Sequence, residues 1–552
     1  MLETAAMNRE QRAMHALNRL AFGPRPGDFE HVRAVGVEAW IHQQLRPESI
    51  AIPDYLVERI DNLSSLNASP AALYLEYQRP LMLERRENPH DKAELRDIRR
   101  RRGNLVREAV EARLLRAIEG PRRLQEVMTA FWFNHFNIFA GKNLCEIWTG
   151  SFEEQAIRPH TLGRFRDLLG ATARHPAMLF YLDNWQNTAP GSPGANQRLD
   201  GINENYAREL MELHTLGVNG GYTQADVVAL AHILTGWGLP RAGGAGGGGR
   251  RAGMRRSDEN GVEVLRGAPF RLRRWMFGGA FNPPLRPRQP RPVTYGDGSA
   301  FYFDPTRHDF SSKVLLGRTI EGGGAREVEE ALDLLARHPS TAKHLSYQLA
   351  QYFVADEPPP ALVARMASSW RESDGDLREV LTAMFASAEF WEPRYFRAKY
   401  KTPYEYVISS VRAIGAPVRN FRPLAGTMAM LGMPLYGCQT PNGYADTQEA
   451  WLNPDSMMAR LSFATALGSG NLPLEREPED DGAGGNRGYF NKRGATNVSF
   501  DRGGMKMTPP DADALQIELG NTFSLRTREA IETAPPPLRA AMVLGSPEFM
   551  MR

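Results

Sequence analysis

Apolar residues recur at helical spacing through most of this chain. In residues 203–217, NENYARELMELHTLG, Tyr206, Leu210, Leu213 and Leu216 fall three and four apart, which is one face of a helix. That helix is expected to stop near Gly217, with Gly220 and Gly221 tolerating positive φ beyond it. Thr223 and Asp226 read as a capping box that opens a second helix, buried through Val227, Leu230, Ala231 and Leu234. The same periodicity predicts two short helices in 8–46 and strong helix over 72–118. It gives an apolar stripe, Leu124, Val127, Met128, Phe131 and Trp132, and a helix pair over 152–186 split at His175-Pro176. Helices resume from about Ala325 to Ala388, again at Thr402-Pro403, and finally around 512–533. Only residues 293–303, VTYGDGSAFYF, read as a β-hairpin, turning at Gly296-Asp297-Gly298.

Two stretches interrupt the pattern. Residues 240–292 are Gly-rich, then Arg- and Pro-rich, and read as an irregular insertion. Residues 471–511 are acidic, then Gly- and Pro-rich, and read as a loop. The chain thus divides into a helical region (8–239), the insertion (240–292), a hairpin with a second helical region (293–470), the loop (471–511) and a terminal helix with its tail (512–552). The fold class is mainly α: a large multi-helix globular fold with one small β-hairpin and irregular insertions.

Composition changes this picture little. The 552 residues are 42% hydrophobic and 24% charged, an ordinary globular balance. A net charge of +3 does not imply nucleic acid. Two cysteines, Cys145 and Cys438, make neither a disulfide scaffold nor a thiolate metal site. No run approaches the roughly 18–20 apolar residues of a membrane span. The first residues lack the apolar core of a signal peptide, so a cytoplasmic location is the default expectation. The charge run Arg99–Arg102 is expected on a solvated helix face.

Candidate chemistry concentrates in three segments. On the 203–217 helix, Arg208 stands four residues from both Glu204 and Glu212, and Glu209 stands three from Glu212. Asn205, Arg208, Glu209 and Glu212 are candidates for acid–base work, and Glu209 also for holding a divalent metal. His214 lies about 200° around a helix from Glu212 and cannot share its face. The structural alternative is an Arg–Glu network tying helices together. The second segment offers His308 and Asp309 as metal ligands, with Asp304 and Lys313 nearby; its alternative is an N-cap, by Asp309 or Ser311, of a helix carrying Lys313. The third is His135 within FWFNHF, a candidate catalytic group or a histidine packed under aromatics. His232 reads as a core histidine, Asp183-Asn184 as a cap or turn, and His160 and His175 as helix-boundary residues. No nucleophile elbow, phosphate-binding loop or dinucleotide fingerprint is present.

The order of motifs resembles the bacterial "domain of unknown function 1800" family. The matching segments are HALNRLAFGP (15–24), FWFNHF (131–136), IRPHTLGRFRDLL (157–169), HPAMLFYLDN (175–184) and NENYARELMELHTLG (203–217). They continue with YTQADV, LTGW, RHDFSSKVLLG (307–317), HPSTAKHL (338–345), KTPYEYV (401–407), PNGY (441–444), WLNP and SPEF. The resemblance implies a mainly helical fold and brings no reaction with it. It also implies a separately encoded companion resembling phosphatases and sulfatases, and an extracytoplasmic location for many members.

Two functional readings follow. One is a metal-assisted hydrolase-like enzyme with a polar cleft made by the 203–217 helix, the His308-Asp309 loop and His135. The other is a non-catalytic helical assembly protein acting with that companion.

Overall fold

A computed structural model describes residues 6–88, 90–195, 199–239, 293–294, 298–475 and 508–552. The 240–292 insertion, the hairpin turn at 295–297 and most of the 471–511 loop lie outside the described residues.

The fold is mainly α. The helices that matter for the site are α1 (Arg9–Leu20), α2 (Lys92–Glu119), α3 (Arg123–His135), α4 (Asn205–Glu212) and α5 (Gln224–Ile233). A small sheet follows, with β1 (Trp237–Gly238), β2 (Val293–Thr294) and β3 (Tyr302–Phe303) in the order β1-β3-β2. The expected hairpin is there: Val293 pairs with Phe303 and Thr294 with Tyr302 in an antiparallel register. Next come β4 (Lys313–Leu315) and β5 (Arg318–Ile320), then α6 (Ala325–Arg337), α7 (Pro339–Phe353), α8 (Pro360–Glu372), α9 (Leu377–Phe385), α10 (Pro403–Ile414) and α11 (Pro454–Gly468).

Local chemistry sets the helix starts. Thr223 accepts from the Asp226 amide, and Asp226 reaches back to Thr223, which closes the expected capping box. Thr402 and Glu405 do the same at α10, with Pro403 in the first turn. His175 caps the helix that follows it, its Nδ1 accepting from the Ala177 amide.

Three local expectations are corrected. Asp309 and Ser311 do not begin a helix, because Lys313 sits on β4 of a second hairpin. Leu316 and Gly317 both take positive φ, the backbone a two-residue hairpin turn requires. The 203–217 helix ends at Glu212, where the His214 amide bonds the Glu209 carbonyl and the chain turns away. In the Arg99–Arg102 run, Arg99 to Arg101 are exposed, but Arg102 is buried against Gln78 (2.9 Å) and Glu146 (3.1 Å).

One apolar cluster runs from Ala13 to Met550 and holds α1, α3, α7 and α10 in a common core. Its centre is aromatic: Trp132 stacks with Phe136 and lies against Phe165. Burying each such ring stabilises the fold by about 2–3 kcal/mol. No described helix is long and apolar enough to cross a membrane.

Candidate functional site

A cavity of about 290 Å³ opens beside that aromatic centre. Its walls come from the end of α3, the turn after α4, the middle of α7, the start of α10 and the loop over residues 433–446.

His135, the last residue of α3, is buried and wedged between Phe136 and Trp132. Its Nε2 donates to the His214 carbonyl at 3.2 Å. Burial pulls its pKa down to about 3, with His344 adding to the effect, so the ring is neutral at pH 7. His214 lies past the end of α4, so the helical angle expected between it and Glu212 does not apply; it is buried in the aromatic cluster, with its ring 5.0 Å from Phe136.

Asn134 clamps the loop that forms the opposite wall. Its Nδ2 donates to the Tyr444 carbonyl and its Oδ1 accepts from the Tyr444 amide, both at 2.8 Å. Gly443 makes this approach possible. Its φ is +70°, and a Cβ there would lie 2.3 Å from the Asn134 carbonyl oxygen.

On α7, His344 and Gln348 stand one turn apart and face the cavity. Burial lowers the His344 pKa, and the Leu213 backbone bonds its ring. His344 Nε2 is buried and meets no hydrogen-bond partner, and the Gln348 side chain bonds His135. The His344 ring rests on Gly217, where a Cβ would stand 2.8 Å from Nδ1.

Glu212 lines the cavity at the end of α4. Arg208 lies 3.4 Å from it, and also meets Glu204 (3.1 Å) and Gln224 (2.9 Å). Glu209 is half-buried one turn earlier. Burial and then the Glu212 carboxylate raise its pKa above the usual range.

Beneath the cavity floor lies a buried ion network. Arg552 pairs with Glu405 at 2.9 Å and lies 3.6 Å from Asp446. Lys399 pairs with Asp356 (2.6 Å) and Asp446 (3.3 Å). Burial lifts the Asp446 carboxyl to about 6 against the pull of Lys399 and Arg552. Arg113 pairs with Glu153 at 3.1 Å, and its guanidinium lies 5.1 Å from the Phe133 and Tyr404 rings and 5.4 Å from Tyr436. Such charges stay buried only while each keeps a partner.

Of the candidates read from sequence, Glu212 and His135 meet at this cavity and Glu209 stands next to it. The others do not join them. Asn205 Nδ2 donates to the Leu182 carbonyl at 3.2 Å and ties α4 to the preceding turn. Arg208 belongs to the partly exposed carboxylate–amide cluster at the surface. The His308-Asp309 segment is not presented to a cleft. His308 is buried with both nitrogens engaged, Nδ1 at 2.7 Å from the Thr235 carbonyl and Nε2 at 2.8 Å from Glu327. Lys313 holds the other Glu327 oxygen at 2.7 Å. His232, expected in the core, is half-buried, and its Nδ1 lies 2.8 Å from Asp309 Oδ2. Among the described residues, no three His, Cys, Asp or Glu side chains are placed together to hold a metal ion.

His344, Gln348, Glu405, Asp446 and Tyr444 were missed from the sequence as site residues. The available signal was the pair of motifs HPSTAKHL and PNGY, whose polar residues sit at a helix start and a glycine turn. Five segments that carry the family resemblance contribute to this cavity: FWFNHF, NENYARELMELHTLG, HPSTAKHL, KTPYEYV and PNGY. No curated protein and no solved structure matches the chain. The family described as "Protein of unknown function (DUF1800)" matches residues 15–551, nearly the whole length, and the chain belongs to it.

Proposed function

We propose that this protein is an enzyme acting on a small polar molecule held in the cavity between α3, α7 and α10. Glu212 and Glu209 are its acid–base carboxylates, and His135 and Asn134 shape the wall. The supporting observation is the convergence of five motif segments, far apart in sequence, on one cavity. Two carboxyls one turn apart, Glu209 with its pKa raised above the usual carboxylate range by burial and by Glu212, suit proton transfer. Hydrolysis fits this arrangement, with Glu209 or Glu212 drawing the proton from water. The metal assistance expected from His308 and Asp309 finds no support in their geometry, because both are engaged by neighbouring side chains. A hydrolase screen over ester, phosphoester and glycoside chromogenic substrates, run with Glu212→Gln, tests the proposal. Activity that falls by at least tenfold in the variant supports it; activity that is equal in the variant overturns it.

A second reading has its own support. Met458, Leu461 and Met542 are exposed on α11 and on the Arg539–Leu544 helix packed against it. Exposed apolar side chains on adjoining helices suit an assembly role with a separately encoded partner. Co-purification of a neighbour-encoded protein with the full chain, lost in Met458→Glu, would support that role; an isolated monomer would count against it.

A further inference from the structure

The segment that opens α5 treats the two carboxylates of α4 differently. Around Thr223 the chain is extended (φ −116°, ψ 168°), so Tyr222 and Gln224 project to one side and Thr223 to the other. The first side meets the polar face of α4. Gln224 donates to Glu204 at 2.8 Å and accepts from Arg208 at 2.9 Å. The Tyr222 hydroxyl donates to the Glu212 carboxylate. Thr223 closes the capping box with Asp226, which fixes where α5 starts and therefore where its two neighbours reach. The Tyr222 ring packs on the apolar core. The turn before it is pinned at Gly220, whose carbonyl accepts from Ser340 at 2.8 Å.

Glu212 is thereby held from two sides. Arg208 lies 3.4 Å from it and is itself kept in place by Glu204 (3.1 Å) and Gln224. Both donors favour the ionised carboxylate. The Glu212 side chain is still 25% exposed, and it lines the cavity. Glu209 has no such support. Among the described residues, no hydrogen bond or ion pair reaches its carboxylate, and burial and the Glu212 charge both favour its protonated form. The other groups facing the pair are Tyr181 beside Glu209 and, across the cavity, the neutral rings of His135 and His344. On the far wall, Arg113, Glu405 and Asp446 are matched by Glu153, Arg552 and Lys399.

We propose that Tyr222 is a positioning residue that, with Arg208, holds Glu212 ionised at the cavity as its proton acceptor, while Glu209 is the protonated member of the pair. The assignment rests on the cavity being the catalytic site. It separates two carboxyls that their spacing alone leaves equivalent, and it gives the Tyr222-Thr223-Gln224 segment a reason beyond starting a helix.

Carbon-13 NMR of the full chain, labelled at the glutamate carboxyls, reads both titrations, with Glu209→Gln and Glu212→Gln assigning the two signals. Glu212 is expected to titrate below Glu209 by about one unit or more. Tyr222→Phe, which keeps the ring on the core, is expected to narrow that gap by raising the Glu212 midpoint. Arg208→Gln acts in the same direction and stands in if Tyr222→Phe misfolds. A Glu209 midpoint below that of Glu212 overturns the assignment of the two carboxyls. A strut alone would lower stability and move neither midpoint, so a Glu212 midpoint unchanged in the folded variants overturns the positioning role. In the hydrolase assay, Tyr222→Phe is expected to move the acid limb of the kcat/KM profile to higher pH with KM little changed. Activity lost in Glu212→Gln but with an unmoved limb in Tyr222→Phe upholds the cavity and overturns the role of Tyr222. A parent inactive on every substrate, with the titrations as expected, overturns the catalytic reading and leaves the hold of Tyr222 on Glu212 standing.

Discussion

Gly443→Ala probes how the cavity is closed. At φ +70°, an alanine in the left-handed region costs about 1 kcal/mol. The added methyl would also stand 2.3 Å from the Asn134 carbonyl oxygen and 2.6 Å from its Oδ1, far inside contact distance. The nearest atom is backbone at the end of α3, so it cannot swing aside, and overpacking of this kind costs about 1–3 kcal/mol. Moving the loop instead gives up the two Asn134–Tyr444 hydrogen bonds, worth about 1 kcal/mol each. The expected total is about 2–4 kcal/mol by either route. Gly317→Ala is the internal control: φ is +75°, yet nothing lies within 4 Å of its Cβ, so only the conformational cost of about 1 kcal/mol applies. Urea unfolding of both variants and the parent, followed by tryptophan fluorescence, gives the comparison. If Gly443→Ala and Gly317→Ala lose the same stability, the close approach of the loop to Asn134 is not what closes the cavity.

Three further outcomes follow from the same geometry. Gly217→Ala should push the His344 ring out of the cavity, since a Cβ there stands 2.8 Å from Nδ1; a shifted His344 imidazole resonance with the fold retained is the sign, and an unchanged resonance contradicts it. Burial pulls the Glu327 pKa up, but hydrogen bonds from His308 and Lys313 outweigh it and hold the carboxyl below its usual range. Its contribution is therefore full above the unfolded pKa and lost as pH falls through the folded one. Glu327→Gln should flatten the acid side of a stability–pH curve below about pH 4.5, and an unaltered curve would refute the pairing. Burial holds His135 neutral down to about 3, so its unfolded form takes up a proton first as pH drops. Stability from this site is full above about pH 6.5 and falls by roughly 1.4 kcal/mol per unit below it; His135→Gln should remove that slope, as chemical denaturation at stepped pH would read.

Apolar spacing of three and four, with the capping pairs Thr223-Asp226 and Thr402-Glu405, determined the helices on its own, because helix burial and caps depend on neighbours within a turn. The motif string likewise placed the chain in its family. Strand pairing over 313–320 was harder to read, since Leu316-Gly317 carries a turn only through two positive φ values that letters show weakly. The site was legible in halves. His135 and Glu212 stood out as polar residues beside apolar stripes, but their separation of 77 positions hid that they share a cavity. The burial of Arg102 in a charge run and the locking of His308 to Glu327 also depended on residues distant in sequence. Tertiary structure decided all of these for one reason: whether a polar side chain is solvated, paired or held free for a ligand is fixed by which other segments surround it, and local periodicity carries no record of that.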